Sequence, residues 1–278
     1  MLEAAAITDI GICRVKNQDA YVVMPGAGVY CVADGIGGGW KGERASATAV
    51  QALMEAFVDE QRAPHDFTER IHHVEEAFRE ASRAIRAYTR EDGQRASGTT
   101  AVAMVFNPAS PRQACILHAG DSRAYRFRGQ TLTTLTRDHT MLADAGFDDE
   151  ETFHMPLRNV VTRAVGIADN LTLDETEIDV EDGDVYLLCS DGLSSMLTHM
   201  DIEQTLRDAR GRDLETTVSA LVEKALWAGG LDNITIILIR VDHACGIVAR
   251  IRRWWRTRHH RRMAEGWVQV SDDADAVA

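Results

Sequence analysis

The sequence predicts an α+β fold, two β-sheets flanked by helices. Three observations carry this. Strand-like runs are frequent and short, long amphipathic segments are few, and the two do not alternate as in a parallel βαβ sheet. The runs at 20–24, 29–33, 99–107, 114–119, 123–127, 184–189 and 233–241 are rich in Val, Ile, Tyr and Thr, with Gly, Pro, Asn or Asp at their borders. A first helix is expected over about 41–61. A second shows Ile71, Val74, Phe78, Ala81, Ile85 and Tyr88 at steps of three and four residues, one apolar stripe. Pro108 and Pro111, in NPASPR, mark a hairpin turn. A further helix is expected near 214–227, stopped by Gly229 and Gly230.

The 278 residues are 45% hydrophobic and 26% charged, which excludes disorder throughout the chain. A net charge of −13 argues against general nucleic-acid binding, which needs a basic surface. Cysteines at 13, 31, 115, 189 and 245 form no C-x-x-C pair, which argues against a disulfide framework and fits a reducing compartment. Cys13, Cys31, Cys115 and Cys189 lie in or beside apolar strands and read as small core residues. The N-terminal MLEAAAITDIG lacks the basic start and apolar run of a signal peptide. The strongest apolar stretches, 185–189 and 234–239, fall far short of the roughly 20 residues that a membrane span needs. A cytoplasmic protein is expected.

Residues 1–242 read as one domain and 243–278 as an extension of different character. Seven arginines and no acid fall between 250 and 262, and Trp254, Trp255 and Trp267 lie in this tail. The stretch 247–262 puts Ile247, Ile251 and Trp254/Trp255 on one side of a helix. That pattern suits weak contact with an acidic partner or the inner face of a membrane; a solvated extension, or one that docks on the acidic body, is the favoured alternative.

Four aspartates stand at the ends of apolar strands: Asp34 after VYCVA, Asp121 after CILHAG, Asp191 after VYLLCS and Asp232 before NITIILI. One such residue is commonly a turn or helix cap. Four brought to one rim would repel each other unless cations lay between them. Oxygen ligands select Mg²⁺ or Mn²⁺ over zinc. Two such ions roughly 3.5–4 Å apart can acidify a water and clamp a phosphoryl oxygen. They would also reverse the local sign, so that an acidic protein could accept phosphate. Arg14, in RVKNQD, offers a planar fork for two phosphate oxygens.

Nine segments then resemble, in order, those of the metal-dependent Ser/Thr protein phosphatases of the protein phosphatase 2C (PPM) family, in its compact bacterial form. They are RVKNQD (14–19), VADGIGG (32–38), GERAS (42–46), SGTTA (97–101), AGDSRAY (119–125), LTRDHT (135–140), RNVVTRAVG (158–166), CSDGL (189–193) and GLDNIT (230–235). The resemblance implies a four-layer α-β-β-α sandwich of two mainly antiparallel sheets. It implies two Mn²⁺ or Mg²⁺ ions, bridged by Asp34 and held further by the Gly35 carbonyl, Asp191 and Asp232. Asp121, with Asp191, matches a third metal site, and Asp19 matches an acid that reaches the metals through water. Arg14 matches the arginine that holds the substrate phosphate. The implied reaction is in-line attack of a metal-bridging hydroxide on phosphoserine or phosphothreonine in proteins, without a phosphoenzyme. The implied partners are a Ser/Thr protein kinase and its substrates.

Two departures matter. Ile36 stands where many eukaryotic members carry a histidine, a candidate general acid. The flap between His139 and Arg158 is short, and its acids at 148–151 would disfavour acidic phosphopeptides. Two alternatives were weighed. A pseudophosphatase could bind phosphoproteins without catalysis, although Asp34, Asp191 and Asp232 are all present. Gly37–Gly42 also spells the G-x-G-x-x-G of a dinucleotide-binding loop.

Overall fold

The computed structural model describes residues 1–37, 40–58, 63–91, 97–147, 159–242 and 267–269. The expected tail helix and the flap acids at 148–151 lie outside these residues. The chain opens with strands β1 (Leu2–Asp9), β2 (Asp19–Met24) and β3 (Val29–Ile36), then helices α1 (Trp40–Phe57) and α2 (Phe67–Glu91). Strands β4 (Gly98–Thr99), β5 (Ala101–Phe106), β6 (Gln113–Ala119), β7 (Arg123–Arg128) and β8 (Thr131–Thr134) follow, then a short helix α3 (Met141–Asp144). Strands β9 (Asp174–Asp179) and β10 (Val185–Cys189) lead to helices α4 (Asp191–Ser194), α5 (His199–Asp208) and α6 (Leu214–Trp227), with β11 (Ile234–Val241) and β12 (Trp267–Gln269) last.

One sheet has the order β1-β11-β10-β7-β8 and the other β12-β2-β3-β5-β6-β9, with β4 on β3. Three apolar clusters make this a four-layer α-β-β-α sandwich. Tyr21, Val23, Tyr30 and Val32 of one sheet pack against Tyr186, Leu188, Ile237 and Ile239 of the other. Their sequence neighbours Val22, Cys31 and Ala33 point the opposite way, onto Val50, Leu53, Val74 and Phe78 of α1 and α2. On the far side Leu187, Ile236 and Leu238 meet Ile202, Leu206, Val218 and Leu221 of α5 and α6. Both faces of the central strands are therefore buried, so they read as nearly unbroken apolar runs although they are antiparallel.

Four strands, one ten-residue helix and the short helices α3 and α4 lie outside the sequence expectation. β1 is alanine-rich, a composition that favours helix, yet it pairs residue by residue with β11 from Leu2↔Val241 to Asp9↔Ile234. β9, DETEID, is an acidic edge strand on β6 with alternate exposure. β8 closes a short hairpin with β7, and β12 pairs with β2. The ten-residue helix is α5, opened by a capping box between Thr198 and Asp201.

Two further corrections concern single positions. Cys13 is exposed, not a core residue, because it lies in the loop between β1 and β2; Cys31, Cys115 and Cys189 are buried. Asp34 lies within β3 rather than beyond its end. The dinucleotide reading of Gly37–Gly42 fails on topology. β3 pairs antiparallel with β2, β4 and β5, whereas a dinucleotide crevice needs parallel neighbours.

Candidate active site

The strand register assembles the acidic residues at one end of the sandwich. Asp19 and Asp34 are direct cross-strand partners in β2 and β3, an arrangement that like charges disfavour. β10 and β11 are antiparallel, with Cys189 opposite Ile236, so Asp191 just after β10 and Asp232 just before β11 emerge together. Thr100 connects Asp34 to Asp121. The Thr100 Oγ1 accepts from the Asp34 amide at 3.0 Å and lies 2.6 Å from the Ser122 hydroxyl.

Two glycines permit this convergence. A Cβ on Gly35 would lie 2.2 Å from the Gly42 carbonyl oxygen in α1, and one on Gly192 would lie 2.0 Å from the Asn233 carbonyl oxygen. Both contacts are with backbone, so a side chain at either position would push β3 from α1, or α4 from β11.

Arg14 donates from Nη2 to Asp232 Oδ2 at 2.5 Å. The hydrogen bond and the charges of Asp232, Asp191 and Asp34 hold its guanidinium above its usual pKa, against the effect of burial. Asn233 fixes the loop that carries Arg14. Its Oδ1 accepts from the Gln18 amide at 2.8 Å, and its Nδ2 donates to the carbonyls of Ile10 at 2.9 Å and Lys16 at 3.0 Å. Asp19 Oδ2 accepts from Ser190 Oγ at 2.8 Å and Thr235 Oγ1 at 2.7 Å. Asn159 Nδ2 donates to Asp191 Oδ2 at 2.9 Å and ties the segment after the flap to the site.

Every site residue expected from the sequence therefore lies in one cluster: Arg14, Asp19, Asp34 with Gly35, Asp121, Asp191 and Asp232. Asn233, Ser190, Thr235 and Asn159 were not singled out beforehand. Thr235, a lone hydroxyl inside an apolar run, was the available signal.

The electrostatics are those of crowded carboxylates, with Arg14 paired, among the described residues, to Asp232 alone. Burial, then the charges of Asp19, Asp191, Asp121 and Asp232, push Asp34 well above the usual carboxylate range. Burial and the charge of Asp191 do the same to Asp121. Burial raises Asp19 to about 7 although two hydroxyls donate to it. Its Oδ1 is buried with no hydrogen-bond partner among the described residues. An orphaned carboxylate oxygen inside an oxygen-only cluster fits a divalent cation or its water.

A second group, His118, His139 and Asp174, brings potential ligand atoms within 4.8 Å of one another. Its protons are already placed. His118 Nε2 lies 2.9 Å from the Arg137 carbonyl and so donates to it. The Gly120 amide donates to His139 Nδ1 at 3.2 Å, which puts the proton of the neutral ring on Nε2, 3.2 Å from Asp174 Oδ2. Burial keeps the His139 pKa below its usual value. The two rings stack at 4.5 Å, which prevents one ion from lying in both ring planes. These contacts fit positioning of the Gly120–Asp121 turn.

The sequence profile of protein phosphatase 2C matches residues 14–226. The chain belongs to the protein phosphatase 2C family. The protein phosphatase PhpP of Streptococcus pneumoniae is 34% identical over 256 residues, covering 87% of this chain and 98% of that protein. The serine/threonine phosphatase stp of Listeria monocytogenes is 30% identical, covering 84% and 94%. The catalytic domain of the serine threonine protein phosphatase PstP, solved in complex with two manganese ions, superposes with a TM-score of 0.73 at 31% identity, covering 87% of this chain and 99% of that one. The expected fold and enzyme class, a metal-dependent Ser/Thr protein phosphatase, hold for this protein phosphatase 2C. Nothing found favours a non-catalytic reading. Among the described residues no helix is long and apolar enough to cross a membrane.

Proposed function

We propose that this phosphatase hydrolyses phosphoserine and phosphothreonine in proteins at a centre of two Mn²⁺ or Mg²⁺ ions. Asp34, the Gly35 carbonyl, Asp191 and Asp232 would hold the pair. Asp121 with Asp191 would hold a third ion, and Asp19 would reach a metal through water. One observation supports this above the rest: the strand register gathers Asp19, Asp34, Asp191 and Asp232 at one end of the sandwich and leaves Asp19 Oδ1 buried with no hydrogen-bond partner among the described residues. When bound, such ions acidify a coordinated water and neutralise phosphoryl oxygens.

The chain's own side chains do the rest. Ser190 and Thr235 anchor Asp19 Oδ2 and so fix the direction of Oδ1. Asp232 holds the Arg14 fork at the mouth, where it would take two oxygens of the incoming phosphate. Ile36 has no proton to lend to the leaving alkoxide, so it does not serve as general acid. The proposed setting is the cytoplasm, opposite a Ser/Thr kinase. Residues 1–242 would form the catalytic domain. The pairing of β12 with β2 supports reading 243–278 as an extension that docks on its own body.

Hydrolysis of a phosphothreonine peptide should require Mn²⁺ and stop with chelator. Arg14→Ala should raise KM about tenfold, because a charge-assisted contact with the phosphate is lost, while the calorimetric Mn²⁺ affinity changes little. An unchanged KM would mean that Arg14 does not touch the substrate.

A further inference from the structure

We propose that Ile12, Val15 and Leu231 form a ridge that receives the residues flanking the phosphorylated serine or threonine, and that it selects substrates in which those residues are apolar. The inference rests on the reading of Arg14 and Asp232 as the phosphate end of the active site.

Ile12 is 65% exposed, Val15 94% and Leu231 57%. Single exposed apolar side chains are ordinary, but a cluster beside a binding site is not. Of twelve large exposed hydrophobic residues among the described ones, five fall within 10–15 and 227–231, the other two being Ile10 and Trp227. These two segments are one surface. Gly230 accepts on its carbonyl from the amides of Ile12 at 2.7 Å and Cys13 at 3.3 Å. A Cβ on Gly230 would lie 3.0 Å from Ile12 Cγ1, so the Ile12 side chain lies over the turn that leads into Leu231. The Asn233 amide clamps the same loop at both of its ends, Ile10 and Lys16. The ridge is therefore braced before any substrate arrives, which lowers the entropic loss on binding.

The occupant follows from position. Arg14 lies between Ile12 and Val15, and its partner Asp232 follows Leu231. A phosphorylated side chain that reaches this pair brings its own backbone to the rim. In an extended chain the next residues lie about 3.3 and 6.6 Å further along, over the ridge. Charge argues for apolar rather than acidic neighbours. The protein carries −13 overall, more than two or three divalent cations offset, so acidic flanks over the rim meet net repulsion, strongest within the roughly 10 Å screening length.

The test compares phosphothreonine peptides that differ only in Leu, Ser or Asp at the two positions on each side of the phosphorylated residue. At least one Leu position should be preferred over Ser by about tenfold in kcat/KM, with Asp poorer still. The triple variant Ile12→Ser/Val15→Ser/Leu231→Ser should lose the Leu preference and keep its rate on p-nitrophenyl phosphate within about twofold, since that substrate has no flanking residues. Val15→Asp alone, at a position too exposed to disturb packing, should deepen discrimination against Asp peptides. A Leu preference that is absent in the parent, or that survives in the triple variant, overturns the proposal. So does a triple variant that changes the sedimentation coefficient and not the peptide preference, which would make the ridge a self-association surface. If the parent with Mn²⁺ hydrolyses neither peptides nor p-nitrophenyl phosphate, the phosphatase reading itself fails, a distinguishable result.

Discussion

Asp34→Asn should lower Mn²⁺-dependent hydrolysis of a phosphothreonine peptide by at least about a thousandfold, because the amide neither bridges nor neutralises divalent ions. The same change should stabilise the chelated protein. Asp34 lies opposite Asp19 and feels Asp191, Asp121 and Asp232 as well. Asparagine keeps the shape and spares the folded chain the proton that the crowded carboxyl must take up. The backbone contacts of position 34, from its amide to Thr100 Oγ1 at 3.0 Å and from the Thr100 amide to its carbonyl at 2.8 Å, do not depend on the side chain. A gain of about 1 kcal/mol would raise the unfolding temperature by about 2–4 °C in a protein of this size. Peptide hydrolysis and scanning calorimetry in chelator read the two effects. Parental rates, or a lower unfolding temperature, would contradict the account. Loss of activity with gain of stability separates a binding carboxylate from a structural one, whose removal lowers both.

The chelated parent should become more stable as pH falls from about 8 to about 6.5. The sign follows from the raised carboxyls. Asp19 titrates at about 7 in the folded chain, and Asp34 and Asp121 sit well above the usual range, whereas all three ionise near 4 when unfolded. Over that interval the native state holds protons that the unfolded state has released. Protonation therefore favours folding, and stability is lost as pH rises through the folded values. His139 acts oppositely, because burial lowers its pKa, so below the ordinary histidine value of about 6.5 its one proton offsets one of the three carboxyl protons and the trend becomes shallower. Mn²⁺ should raise the unfolding temperature more at about pH 8 than at about pH 6.5, since protons compete for the same oxygens. Thermal melts with and without Mn²⁺ at both pH values test this. A Mn²⁺ effect independent of pH would mean that the ion binds elsewhere.

The legible parts of this protein were those in which one residue type answers to one demand. The seven apolar runs became strands because burial on both faces leaves few alternatives to Val, Ile and Leu. Asp34, Asp121, Asp191 and Asp232 were visible as acids placed where apolar strands end. β1 and β9 were hidden because their partners, not their own composition, make them strands. Alanines in β1 are aligned by β11, and acids in β9 are held by the β6 edge. α5 carries a readable signal in Thr198 and Asp201, the two ends of its capping box. Asn233 and Ser190 escaped notice for another reason. Their roles consist of contacts across more than 150 residues of sequence, from Asn233 to Gln18 and from Ser190 to Asp19, and no local pattern encodes those. The cross-strand register of Asp19 against Asp34 is of the same kind, and it creates the charge problem that a cation would solve.

Anomalous diffraction at the manganese edge, from crystals of the full chain grown with Mn²⁺, tests the central claim most directly. The account predicts two peaks beside Asp34, with Asp191 and Asp232 among their ligands. Full phosphatase activity in the same preparation, with no peak in contact with Asp34, would contradict it.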